Sequence, residues 1–309
     1  MRNRSAVVRT CTLLLVAACV VTVSACVGKR DRDDSRLTVL TTFTVLQDIV
    51  ANVAGDTVRV ESVTKPGAEI HGYEPTPGDL RRAADADLIV DNGLHLEAWF
   101  QQFVDRLDAK HIVASDGIVP IPISSDTGAG APNPHAWMSP LNVQIYVDNI
   151  ADALIDLDRE HAREYRANAD AYKAELQRVH DTMVAELATL PERRRALVTC
   201  EGAFSYLARD TGMREKYVWP VNAEQQGTSK QLESTIDFVR DNDIDAVFCE
   251  STVSDRVMQQ VVRATDTDFG GTLYVDSLSQ ADGPVPTYLD LIRHDSDTIV
   301  DALTEGGPQ

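Results

Sequence analysis

The chain predicts an α/β protein of two lobes with parallel-type sheets, joined by one long rigid backbone helix. Three observations carry that expectation. From residue 37 onward, short apolar segments alternate with helical ones, the pattern of a parallel sheet covered by helices. The alternation is interrupted once, by helical sequence that runs to residue 190, and then resumes. Within that run Tyr165, Ala169, Tyr172, Leu176, Val179, Met183 and Leu187 recur every three or four residues, which draws one apolar stripe down a single helix. Pro191 closes it.

In the first lobe, LTVLTT (37–42) reads as a strand and 45–53 as a helix. Residues 58–64 follow as a strand, 79–84 as a helix, 87–91 as a strand, 96–107 as a helix and 112–114 as a strand. Ser139-Pro140 has the cap and first-turn chemistry of a helix start, with one break expected near 156–159. Beyond the long helix, 196–199, 246–248 and 272–275 are strands, and 203–210, 229–242, 255–265 and 286–303 are helices. The expected divisions are a leader at 1–25, a polar tether at 26–36, a first lobe at 37–157, a linking helix at 158–191 and a second lobe at 192–304. A length of 309 residues is enough for two domains with their own cores.

The N-terminus has a different character. Arg2, Arg4 and Arg9 precede an apolar run from Cys11 to Val23, and small residues follow before Cys26. That is the layout of a secretory signal, with an apolar run too short to span a bilayer. The ending VSAC resembles the lipobox of bacterial lipoproteins, which implies lipidation of Cys26 and a body anchored to the membrane but otherwise soluble. The formal charge of −19 becomes −22 once the leader and its three arginines are lost. So acidic a body argues against nucleic acid as a partner, because phosphate binding needs a basic stripe. Beyond the leader and Cys26 the cysteines are Cys200 and Cys249, each late in an expected strand. They form either a disulfide or two buried free thiols.

Of the seven histidines, His111, His161, His180 and His294 sit among charges or in terminal positions and read as surface or capping residues. His95, in NGLHLE, lies just past a strand end. His71, in KPGAEIHGYEP, directly follows a strand, and His135, in PNPHAWMSP, directly precedes a helix. In the second lobe Glu201 follows LVTC and Asp276 follows TLYV. Either acid alone reads as a helix cap. Two histidines and two acids at four connections, split evenly between two lobes, together make a divalent metal site at the lobe interface.

GAEIHGYEPTPGDL, NPHAWMSP, TCEGAFSYLARDTG and YVDSLS occur in that order, and with them the chain resembles the metal-binding lipoproteins of bacterial ABC transporters, the cluster A-I solute-binding proteins. The resemblance runs from about Leu37 to Leu303 and implies an extracytoplasmic binding protein, not an enzyme. Its metal ligands are His71, His135, Glu201 and Asp276; its partners are a permease and, through it, an ATPase; and it acts as a monomer. Glu224 and Gly227-Thr228, in NAEQQGTS, fit a family segment without an assigned metal contact, while Gln225-Gln226 and the two late cysteines depart from the pattern. Two imidazoles with two carboxylates favour Mn(II) as cargo, with Fe(II) and Zn(II) as alternatives. Zinc importers of the family carry a third histidine where Glu201 stands, and many have a His-rich loop, which residues 124–134 are not. Because an imidazole must be neutral to ligate, binding is expected to weaken below pH ~6.5. Glu69, Glu74 or backbone groups are the candidates for holding the imidazole tautomers. Two other classes compete. One is a metallohydrolase with Glu250 as general base; the other is an adhesin that shares only the fold.

Overall fold

The computed structural model describes residues 36–100, 107, 109–124, 129–221 and 227–304. The leader, Cys26, nearly all of the tether, Glu224, Gln225-Gln226, half of the helix expected at 96–107 and part of the loop at 124–134 lie outside the described residues.

The first sheet holds β1 (Thr38–Thr41), β2 (Arg59–Ser62), β3 (Leu88–Asp91) and β4 (Lys110–Val113). Every pairing is parallel and the order is β2-β1-β3-β4. The central strands β1 and β3 are buried along their whole length, whereas β2 and β4 at the edges are only partly covered. This gradient follows from helices on both faces, which leave only the outer strands in reach of water. Because β1 has β2 on one side and β3 on the other, the chain reverses direction across the sheet there, which opens a crevice beyond the strands' carboxyl ends.

The second lobe repeats the scheme. β5 (Ala196–Glu201) pairs in parallel with β6 (Arg214–Trp219), and β7 (Ala246–Glu250) with β8 (Asp268–Leu273). β5 and β7 are fully buried neighbours, and the structure joins Cys200 to Cys249 by a disulfide across them, with a Cα–Cα distance of 4.9 Å. Two strands differ from the sequence expectation. β6 was missed because it opens on the charged run Arg214-Glu215-Lys216, the partly covered end of an edge strand. β8 begins earlier than 272 and carries Gly270, where a Cβ would lie 2.5 Å from the Phe248 ring and 2.9 Å from Ala302. Glycines that read as a loop are there for close packing.

Among the described residues the α-helices are α1 (Thr44–Ala54), α2 (Pro77–Ala84), α3 (Pro140–Leu157), α4 (Ala162–Leu187), α5 (Ser205–Thr211), α6 (Ser229–Asp241), α7 (Met258–Ala264) and α8 (Tyr288–Thr304). α3 starts as its sequence predicts, with Ser139 accepting from the Asn142 N–H and Pro140 in the first turn. The break falls at Asp158, whose carboxylate accepts from the Glu160 N–H and opens a 3-10 turn at Arg159–His161. α4 then runs 26 residues, about 39 Å at 1.5 Å per residue. Its buried face is the predicted stripe from Tyr165 to Leu187, packed against α1 and α3 on one side and α8 on the other. Asn168 donates to the Val53 carbonyl (3.1 Å) and Arg293 on α8 pairs with Glu175 (3.0 Å). Among the described residues no helix is long and apolar enough to cross a membrane.

Candidate metal centre

His71 sits on the connection leaving β2. Its neighbour Ile70 is fully buried, and the Glu69 carboxylate accepts from the backbone N–H groups of both Ile70 and His71 at 3.0 Å. Further back, the Gly67 N–H donates to Ser277 Oγ (2.7 Å), so the loop is tied to the residue after Asp276. Glu74, the other acid expected to serve here, is exposed.

His135 is fully buried at the start of a 3-10 turn, Ala136–Met138. Asn133 holds it twice: Oδ1 accepts from the His135 backbone N–H (3.0 Å) and faces ring Nδ1 (2.9 Å). The same amide donates through Nδ2 to the Gly202 carbonyl (2.6 Å) and to Ser205 Oγ (3.2 Å). With Nδ2 committed to a carbonyl, Oδ1 is fixed as an acceptor. Ring Nδ1 must therefore carry the proton and Nε2 the lone pair. Trp137 packs edge-on to Phe43 (centroids 5.0 Å apart), and its indole N–H donates to the Val275 carbonyl (3.0 Å), one residue before Asp276.

Glu201 ends β5 and Asp276 follows β8; both are fully buried. The Glu201 N–H donates to both oxygens of Glu250 at 3.2 Å. Thr252 Oγ1 donates to Asp276 Oδ2 at 3.4 Å. The structure brings all four predicted side chains together. The Nε2 atoms of His71 and His135 are 2.9 Å apart. Glu201 Oε1 lies 3.8 Å from both, and Asp276 Oδ1 lies 3.9 and 3.8 Å away. Two overlapping sets, His71 with His135 and Glu201, and Glu69 with His71 and Asp276, each place donor atoms within 4.8 Å of one another. Since His135 Nε2 holds a lone pair, the 2.9 Å contact needs the proton of His71 Nε2.

Burial shifts these groups in opposite directions. It lowers His71, against the pull of Glu69, and it holds His135 well below 6.5, reinforced by His71 beside it. Burial pushes Asp276 well above 3.8, and the charges of Glu69 and Glu201 push it further, against the bond from Thr252. Both rings are thus neutral at neutral pH, the ligating form. Burial keeps both imidazoles below the ordinary histidine value and Asp276 above the ordinary carboxylate value.

Glu250 is corrected as a general base. Its carboxyl is buried with both oxygens accepting from the backbone N–H of Glu201, and its pKa is raised to about 8 chiefly by burial. Cys200 and Cys249 also cluster with Glu250, but their sulfurs are bonded to each other. Sequence reasoning missed Asn133 and the carbonyl contact of Trp137. Both lie within two residues of His135, and that nearness was the available signal.

Two parallel-sheet lobes bridged by a helix, with buried nitrogen and oxygen donors at the strand ends between them, define a metal-binding solute-binding protein of the ABC transporter type. The chain belongs to the family described as ZnuA, zinc-uptake complex component A, periplasmic, whose profile matches residues 39–302. It is similar to the iron-binding protein YfeA of Yersinia pestis, 51% identical over 262 residues, covering 84% of each chain. It also resembles the manganese-binding lipoprotein MntA of Halalkalibacterium halodurans, 34% identical over 274 residues, covering 88% of this chain and 90% of that one. The solved Mn-bound periplasmic metal binding protein from Candidatus Liberibacter asiaticus matches with a TM-score of 0.82 at 39% identity, over 87% of this chain and 100% of that one. Proteins of this family are solute-binding transport components rather than enzymes.

Proposed function

We propose that this chain is an extracytoplasmic lipoprotein that captures Mn(II) through His71, His135, Glu201 and Asp276 and delivers it to the permease of an ABC importer driven by its ATPase. The convergence of two imidazole nitrogens, 2.9 Å apart, on two buried carboxylates carries the reading. Neutral imidazoles with carboxylates form a donor set suited to Mn(II) and Fe(II), and two negative charges neutralise one dication. The name of the Halalkalibacterium relative favours manganese. Ferrous iron is the second reading, favoured by the name of the 51% identical relative. Zinc binds such donors tightly in vitro whatever is carried, because affinity rises along the series from Mn(II) to Zn(II). In the same reading residues 1–25 are removed, Cys26 carries the lipid, 26–36 tethers the body, and the divisions 37–157, 158–191 and 192–304 act as one monomer.

The test is elemental analysis of protein purified without added metal, followed by anaerobic competition between Mn(II), Fe(II) and Zn(II), on wild type and His135→Ala. Equimolar Mn in the wild type, lost in the variant together with cellular manganese uptake, is the expected result. Iron as the retained ion would move the assignment to the second reading. A His135→Ala strain with intact metal uptake would sink both.

A further inference from the structure

We propose that His95 is a loading ligand, an imidazole at the mouth of the cleft that takes a divalent cation from water before it reaches the buried cluster. The proposal rests on the metal-capture reading above.

The segment Asp91-Asn92-Gly93-Leu94-His95-Leu96-Glu97 leaves β3 by an unusual path. Gly93, Leu94 and His95 have φ of +78°, +53° and +66°, a left-handed conformation that side chains with a Cβ resist. A Cβ on Gly93 would fall 2.3 Å from Val113 Cγ1, so the tight approach admits only glycine. The path is braced from inside: the Glu97 carboxylate accepts from the N–H groups of Asn92 (2.8 Å) and Gly93 (3.2 Å) and from Thr42 Oγ1 (2.7 Å). Leu96 is buried, and its N–H returns to the Gly93 carbonyl at 3.1 Å. Leu96 and Glu97 are thus fixed in the interior while His95 between Leu94 and Leu96 is turned out to solvent.

What His95 faces gives the strained turn a use. Its side chain lines a cavity of about 440 Å³ together with His71. The rest of the described wall is largely apolar, including Leu94, Trp99, Ile123 and Pro132, and the Tyr73 hydroxyl is committed to Asp79 at 2.9 Å. Of the four cluster side chains, His71 alone is exposed at all, 8% against 0% for the other three. An ion arriving from solvent therefore meets His71 first, and the other imidazole on that wall is His95. A hydrated dication gives up its waters one ligand at a time. A nitrogen at the mouth lets the first exchange occur in the open, before the ion reaches the buried cluster, where an uncompensated charge is costly.

The test is stopped-flow binding of Mn(II) to the metal-stripped chain, read by tryptophan fluorescence, since Trp99 lines the cavity and Trp137 lies against His135. His95→Asn and His95→Gly both tolerate the left-handed backbone, so neither adds strain. We expect the association rate constant to fall about tenfold in both variants, with equilibrium stoichiometry and thermal midpoint kept. Wild-type rates in either variant overturn the proposal. Loss of equilibrium binding in them also overturns it, since His95 would then belong to the resting centre. His135→Ala, run in parallel, separates the two readings: if that variant still binds at equilibrium, the metal-capture reading fails whatever His95 does.

Discussion

Asn133 connects the two halves of the centre through one side chain. It dictates the tautomer of His135 with its carbonyl oxygen and grips the residue after Glu201 with its amide nitrogen. Asn133→Ala removes both bonds and frees the ring to rotate and to place its proton on Nε2. Loss of such a supporting partner typically lowers metal affinity about 10–100-fold, and that is the change expected for Mn(II) measured by titration calorimetry at neutral pH. Asn133→Asp keeps an acceptor for Nδ1 but sets a carboxylate against the Gly202 carbonyl, so it should recover only part of the loss. Unchanged affinity in the alanine variant would remove the tautomer argument. The stretch PNPHAWMSP marks His135 from sequence because three prolines and a tryptophan hold it. Asn133 escapes notice there, since an asparagine before a proline reads simply as a turn former.

The carboxyl ends of the strands are where this fold gathers its costly groups. Just past β3, Glu97 has its pKa raised to about 8 by burial first and by the charge of Asp91 second, against the hydrogen bonds from Asn92, Thr42 and Gly93. The unfolded chain releases this proton near 4.5 and the folded one near 8, so between those values the native state holds more protons. Stability contributed by this group is therefore lost as pH rises through that window, by at most about 1.4 kcal/mol per pH unit. Glu97→Gln should flatten the wild-type curve between pH 5 and pH 8, read as urea midpoints at unit steps. Parallel curves for the two proteins would show that the group carries no such linkage. At this scale the buried strands were legible as apolar runs. β6 and β8 were not, because edge strands carry charge at their exposed ends and Gly270 is selected by the Phe248 ring rather than by a turn.

Across the molecule, the lobes are held by more than α4. Trp137 donates to Val275, Tyr288 donates to the Trp137 carbonyl (2.6 Å), and Thr44 shares hydrogen bonds with Ser277 and Leu278 (3.2 and 3.0 Å). These ties join the segments next to His135 and Asp276 to the opposite lobe. Inside the second lobe the disulfide closes a loop of 49 residues between β5 and β7, directly before Glu201 and Glu250. In the chain-entropy account a loop of that length contributes about 4 kcal/mol. The double variant Cys200→Ser, Cys249→Ser should therefore lower the denaturant midpoint, as should reduction of the wild type. If both leave the midpoint in place, the bridge is absent from the protein in solution.

The alternation of strands and helices, the stripe from Tyr165 to Leu187 and the four residues at strand exits are properties of local sequence. Periodicity and punctuation express them before any contact forms. The order β2-β1-β3-β4, the meeting of Cys200 with Cys249 and the 2.9 Å approach of His71 to His135 exist only once the two lobes pack. So do the opposed shifts of the imidazoles and Asp276, because burial sets them and no residue carries its burial in its own identity. The sequence by itself determined which groups could become donors. Only the tertiary structure decided that they share one buried cleft, with His71 toward the water and His95 turned out beyond it.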